Sequence, residues 1–135
     1  LGEPPAATVS APEAALNFLR PIFAGLDGAR EHVVLLALDS QNHVRGFKVV
    51  ATGGQAASIV DAKTIFRDAL LLGAAALILA HNHPSGDPAP SADDVRLTRR
   101  LVDAGKILDL RVHDHLVLGD QGRYVSLANS GQLEG

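Results

Sequence analysis

The sequence predicts an α/β (α+β) domain, with a mixed β-sheet flanked by helices. Three observations lead there. Two runs, His32 to Asp39 (HVVLLALD) and Ala75 to Ala80 (AALILA), are almost wholly apolar and read as buried strands. Asp61 and Ser91 each stand where a helix cap belongs. The resulting order is helix, two strands, helix, strand, helix, then two or more strands, which suits one layered domain. At 135 residues the chain is long enough for a real core.

The elements follow in order. Residues 1–9 (LGEPPAATV) are rich in Pro and Ala and read as a flexible tail, so the domain is expected over 10–135. Ser10 and Glu13 match a capping box with Pro12 in the first turn. That predicts a helix over Pro12 to Leu19, which Pro21 bends or stops. His32 to Asp39 is the first strand and, being apolar throughout, a central one. His43 to Val50 is its partner after the turn at Ser40-Gln41-Asn42. Asp61 caps a helix over Ala62 to Leu72 that Gly73 ends. After the Ala75 to Ala80 strand, Ser91 caps a helix over Ala92 to Ala104, with Gly105 as its stop. His115 to Leu118 and Arg123 to Leu127 read as a hairpin around Asp120-Gln121-Gly122.

Composition narrows the function classes. There is no cysteine, so disulfides and thiolate zinc sites are excluded and any metal must use His, Asp or Glu. The net charge of −3 gives no global case for nucleic acid. A local basic group, Arg96, Arg99, Arg100, Lys106 and Arg111, reads as the solvated face of a helix and the loop after it. The apolar run Ala69 to Ala80 has 12 residues, short of the roughly 20 that a membrane span needs. No signal peptide is recognisable, and a cytoplasmic location without a membrane partner is expected. The chain starts at Leu and contains no Met, which suggests a fragment or a processed product.

The chemistry concentrates in HNHPSGDPAPSADD, His81 to Asp94. In extended chain, residues i and i+2 point to the same side, so His81 and His83 can converge on one ion. Pro84, Pro88 and Pro90 keep the following segment out of helix. Ser91 then falls at an N-cap and Asp94 at the third helical position, where a carboxylate is favoured. The Ser91 oxygen can accept the Asp94 N–H and keep its own hydrogen free to donate. Two imidazoles, one carboxylate and an open position form the plan of a catalytic zinc site. A polar loop that merely caps a helix explains the same residues. Asp87 and Asp93 compete with Asp94 as ligand.

The pattern H-x-H, seven residues, S, two residues, D resembles the JAMM motif of the MPN+ (JAB) metalloproteases. The wording HNHPSGDPxPSxxD, followed by TRRL and DHLVLG, looks like the RadC-type branch of that family, and the similarity runs from about Glu31 to Asn129. The resemblance implies a single MPN/JAB-like (cytidine-deaminase-like) fold. It implies one zinc ion per chain, held by His81, His83 and Asp94, and amide hydrolysis on a peptide or protein substrate. Glu31 stands where the branch carries its general base, ahead of Glu3, Glu13 and Glu134, and Ser91 stands where an oxyanion donor belongs. Asn82 replaces the Ser or Thr of deubiquitinating members, and Lys63 stands where the branch often has Arg. RadC-like proteins also commonly carry an upstream helix-hairpin-helix domain.

His113 and His115 make a second His-x-His pair, but no serine or carboxylate follows in comparable order. The branch carries Asp-His here, which implies that Asp114 and His115 support the ligands from behind. His32 and His43 read as strand-end residues. Three functions compete: a zinc metallopeptidase or isopeptidase, a metal-dependent nuclease or phosphodiesterase tied to DNA repair, and a non-catalytic MPN binding module. Nucleic acid as a partner finds no support in the net charge or in the scarcity of aromatics, one Tyr, four Phe and no Trp.

Overall fold

Five strands carry the fold, which is seen in a computed structural model describing residues 8, 9, 11–54, 56 and 60–133. They are β1 (Glu31–Leu38), β2 (Val44–Gly53), β3 (Ala76–Asn82), β4 (Arg111–Leu118) and β5 (Tyr124–Ser126). The sheet order is β2-β1-β3-β4-β5. The β3–β4 pair is parallel and the others are antiparallel, which makes the sheet mixed, as expected. Three helices, α1 (Pro12–Ala24), α2 (Ala62–Leu71) and α3 (Ala92–Leu108), accompany it among the described residues. None is long and apolar enough to cross a membrane.

The strand period of two sorts the core into two layers. Even positions Val34, Leu36, Leu38 and Ile78 pack with Ala15, Leu16 and Leu19 of α1. Odd positions Val33, Leu35, Leu77 and Leu79 pack with Ile65 and Phe66 of α2 and with Leu97 and Leu101 of α3. β1 and β3 are covered on both faces and paired on both edges, so they need almost continuous apolar sequence. At about 25 cal/mol per Å², each fully buried Leu or Ile contributes roughly 2 kcal/mol before entropy is counted.

Several boundaries differ from the sequence reading. Helix α1 runs through Pro21 to Ala24. Pro21 is exposed, and Ile22 and Phe23 beyond it pack on the core, so their burial offsets one missing hydrogen bond. Ala11 stands at the N-cap without a side-chain cap bond, and Ser10 lies outside the described residues. Val9, placed in the tail by its sequence, is buried and donates to the Asn42 carbonyl at 2.8 Å, while Thr8 bridges His43. Gly105 does not stop α3, which continues to Leu108 and ends at Asp109 in the left-handed region with φ 53°. The glycine serves close packing instead: a Cβ there would lie 2.3 Å from the Leu110 carbonyl oxygen. The caps at Asp61 and Ser91 form as expected, with bonds from Thr64 N–H at 2.7 Å and Asp94 N–H at 3.1 Å.

Strand β4 begins at Arg111, four residues before its expected start, and carries a bulge. Leu77 pairs with Val112, but Ile78 pairs with Asp114, so His113 is the extra residue. The bulge resets the alternation of β4. Val112 and His115 thereby share the face of α2 and α3, whereas an unbroken strand would put them on opposite faces.

Candidate metal centre

The parallel strands β3 and β4 end side by side, and the chain leaves β3 for α3 at that edge, where ligands collect in open α/β sheets. His81 is the last odd position of β3 and is wholly buried on the α2/α3 face. His83 follows on the same side. The proline loop then returns the chain to the start of α3. There Ser91 and Asp94 form a reciprocal capping box: Ser91 N–H donates to Asp94 Oδ2 at 2.8 Å, and Asp94 N–H donates to Ser91 Oγ. The cap thus fixes the direction of the carboxylate.

Three atoms meet. His81 Nε2 lies 3.0 Å from His83 Nε2 and 3.2 Å from Asp94 Oδ1, and His83 Nε2 lies 3.1 Å from Asp94 Oδ2. Among the described residues, this is the group of His, Cys, Asp and Glu side chains that could hold a metal ion. A tetrahedral zinc with bonds of about 2.0–2.1 Å sets its ligands roughly 3.3 Å apart, close to these separations.

The hydrogen bonds behind the ligands assign protons to particular nitrogens. Thr98 Oγ1 donates its one hydrogen to the Asp94 carbonyl at 2.8 Å, so it accepts in its short bond with His115 Nδ1. His115 is wholly buried. Burial, reinforced by the neighbouring imidazoles, holds its pKa well below the ordinary value, and it stays neutral. With its hydrogen on Nδ1, His115 Nε2 accepts from His81 Nδ1 at 2.7 Å. His81 is left with a bare Nε2. His83 Nδ1 donates to the Asp87 carbonyl at 2.8 Å, which leaves its Nε2 bare as well in the neutral ring. Two lone pairs and a carboxylate therefore face one another. A proton relieves one pair at a time, whereas a divalent cation satisfies all three, and the donor set fits a metal ion.

Burial alone raises the Asp94 pKa, but the imidazoles of His81 and His83 and the Ser91 N–H hold it well below the usual carboxylate range. The His83 pKa is raised, first by the Asp94 side chain, against the effect of burial. The Asp87 carbonyl and the charges of Asp94 and Glu31 add to it.

Glu31 opens β1 opposite Gly53 and is half-buried. By strand parity it shares the face of Val33 and His81, and its charge reaches His83. Glu13 is elsewhere: α1 lies on the other face, and the Glu13 carboxylate accepts from Tyr124 OH at 2.9 Å. Glu3 and Glu134 lie outside the described residues. Asp87 caps its own loop through a bond from Ala89 N–H, and Asp93 pairs with Arg96 on the outer face of α3, so neither competes with Asp94. Arg99, Arg100, Lys106 and Arg111 are exposed, as a solvated face requires.

His115 bonds His81, whereas Asp114 has its partners on the other face. Consecutive strand residues face opposite sides, so Asp114 points away and is taken up by Ser126 Oγ at 2.6 Å and by the N–H groups of His115 and Ala128. His113 belongs to no metal group, because its Nε2 bonds Asn42 Oδ1 at 2.8 Å. Thr98 went unread in the sequence. Its signal was a hydroxyl on a buried helix face four residues after Asp94, where side chains stack.

A second clamp holds the loop. Gly86 has φ 88°, and its carbonyl accepts from Asp120 N–H and Arg123 Nη2, both at 2.9 Å. The β4–β5 turn thereby fixes the segment whose Asp87 carbonyl orients His83. Beside His83 opens a cleft of about 390 Å³, lined by Arg20, Phe23, His32, Asn82, Pro84 and Leu118 among others. A larger hollow of about 540 Å³ lies at the opposite end of β4, against Gly105, Leu110 and His113, and contains none of the site residues.

The family described as RadC-like JAB domain matches residues 9–132. A UPF0758 protein of Symbiobacterium thermophilum is 45% identical over 124 residues, 92% of this chain and 52% of its own length. UPF0758 proteins of Methanococcoides burtonii and Moorella thermoacetica are 46% and 48% identical over 104 residues, in each case 77% of this chain and 45% of the relative. The chain thus spans about half the length of the curated relatives it matches. With a family match over nearly its whole length, the chain belongs to the RadC-like JAB-domain family.

Proposed function

We propose that this domain is a zinc-dependent hydrolase of peptide or isopeptide bonds. One observation carries the reading: two imidazole nitrogens and a buried carboxylate converge at a strand end, with a glutamate on the same strand face and a cleft beside His83. Two His, one Asp and a free position suit zinc, which would be held by His81, His83 and Asp94. When bound, the metal supplies Lewis acidity and lowers the pKa of a water from 15.7 toward about 7. Glu31 receives the proton of the attacking water and passes it to the leaving amine. Ser91 Oγ accepts from Asp94 N–H, which leaves its own hydrogen to donate to the oxyanion. His115 and Thr98 keep His81 in the tautomer that offers Nε2.

A peptide suits the cleft better than a polyanion does. Phe23, Pro84 and Leu118 give it apolar wall, and among the described lining residues the cation Arg20 is matched by the carboxylate of Asp120. The exposed arginines of α3 favour the nuclease reading, which would fit a part in DNA repair, but the chain is acidic overall. A non-catalytic module would have no need of a complete ligand set.

Metal content decides first. Elemental analysis should give near one zinc per chain, and Asp94→Ala should lose it. The zinc-loaded protein is then mixed with a proteome-derived peptide library, and new termini are read by mass spectrometry. Cleavage that is absent in Asp94→Ala supports the peptidase. Nicking of supercoiled plasmid with an uncut library would replace it by the nuclease. Absence of zinc in both proteins, after zinc is supplied, would leave the binding module.

A further inference from the structure

We propose that Asn82 is a positioning residue for Glu31: its carboxamide ties the peptide groups on both sides of Glu31 to the strand that carries His81 and His83. The inference rests on Glu31 as the base and deepens that assignment.

The β1–β3 ladder runs from Leu38 opposite Ala76 to Val33 opposite His81 and ends there. Beyond His81 the β3 backbone stays with β4, and His83 N–H donates to the Leu118 carbonyl at 2.9 Å. The Asn82 side chain continues the ladder in its place. Its Oδ1 accepts from His32 N–H at 2.8 Å, and its Nδ2 donates to the Arg30 carbonyl at 2.9 Å. The residue between these two bonds is Glu31. Continuing the register sets His32 opposite Asn82 and Glu31 opposite His83.

A carboxamide carries one acceptor and one donor group, as a peptide does, so one side chain satisfies both strand groups. Aspartate would offer acceptors alone and set a charge against the Arg30 carbonyl. The other side of the strand start is held too: Glu31 and His32 pair with Gly53 and Thr52 of β2, and the His32 imidazole bonds Thr52 Oγ1 at 2.9 Å and the Asp27 carbonyl at 2.7 Å. The first peptide groups of β1 are therefore clamped between two supports, and Asn82 is the one continuous with the metal ligands. Alternation explains its place between the two histidines: the ligands take one side of the strand end, and the residue between them is free for the neighbouring strand.

The test compares wild type, Asn82→Ala and Asn82→Asp. Zinc content should stay at one per chain in all three, because the ligands are untouched. Loaded with cobalt(II), wild type should show a large paramagnetic shift at the Glu31 side-chain carbons. In Asn82→Ala that shift should shrink while the His81 and His83 ring shifts stay, and His32 N–H should exchange about tenfold faster. Unchanged Glu31 shift and unchanged His32 exchange would overturn the proposal. Should Asn82→Ala fail to fold, Asn82→Asp bears the same expectations, since it keeps size and one bond. Should cobalt not bind, exchange at His32 alone decides.

Activity gives an independent arm on a peptide cut by wild type. Asn82→Ala should lose about 100-fold in kcat with KM unchanged, the order expected for an ångström of misplacement. In a Glu31→Gln background it should lose nothing more, and an added loss there would mean that Asn82 acts elsewhere. If wild type cleaves no peptide, the peptidase reading falls alone, while the cobalt shift and the exchange rate still judge Asn82.

Discussion

Thr98 has one hydroxyl hydrogen and gives it to the Asp94 carbonyl, and that single fact propagates to His81, the candidate metal ligand two side chains away. The direction of each bond from Thr98 through His115 to His81 follows from it. Thr98→Val removes the hydroxyl at nearly constant shape. It should weaken zinc binding about 10- to 100-fold, the usual effect of losing a partner behind a ligand. Competition against a chromophoric chelator measures it, and unchanged affinity would show that His115 keeps its tautomer unaided. Ser91→Ala separates two duties of one residue. The lost cap should cost about 1 kcal/mol. Zinc should remain, since Ser91 N–H still donates to Asp94. Turnover should fall about 100- to 1000-fold, as for removal of an oxyanion donor. A variant at full rate would remove Ser91 from the chemistry.

At the scale of elements, Gly105 shows how a close approach looks like a stop signal in sequence. Alanine inside a helix gains about 1 kcal/mol over glycine. Here its Cβ would meet the Leu110 carbonyl oxygen at 2.3 Å, backbone that cannot swing aside, and overpacking costs about 1–3 kcal/mol. Gly105→Ala should therefore lower the melting temperature, and a rise would mean that the α3–β4 turn yields easily. The same contrast divides what was legible in the sequence from what was not. His81, His83, Ser91 and Asp94 lie within fourteen consecutive residues, so strand alternation and one helix cap suffice to bring them together. The long apolar runs of β1 and β3 announce themselves by composition. The bulge at His113 does not, because it exists only in the pairing of β4 with β3, and it decides that His115 rather than Asp114 faces His81. Asn82 was equally silent, for its two bonds reach residues fifty-two and fifty positions earlier. Pro21 misled because helix rules weigh the missing bond but not the burial of Ile22 and Phe23.

For the whole molecule, the candidate ligands come from β3, α3 and the loop between them, and the residues bonded to them from β4 and its turn. The sheet face holding His81 is shared by both α2 and α3, and the layer they form is continuous with the core around Leu79 and Leu101. Metal binding should therefore be felt by the entire fold as one cooperative unit. A ligand that binds the folded state alone stabilises it by RT ln(1 + [L]/Kd), about 4 kcal/mol at a thousandfold excess over Kd. A domain of this size moves by roughly 3–5 °C per kcal/mol, so zinc should raise the melting temperature by about 15 °C. Stripping the metal with a chelator should reverse the gain, and Asp94→Ala should show no zinc-dependent shift. Calorimetry with and without zinc distinguishes this from a loosely attached ion. A single transition that moves as a whole is the expected result. A fixed main transition, with a small separate one that responds to zinc, would mean that the 84–90 loop melts apart from the sheet and that the site is an appendage of the fold.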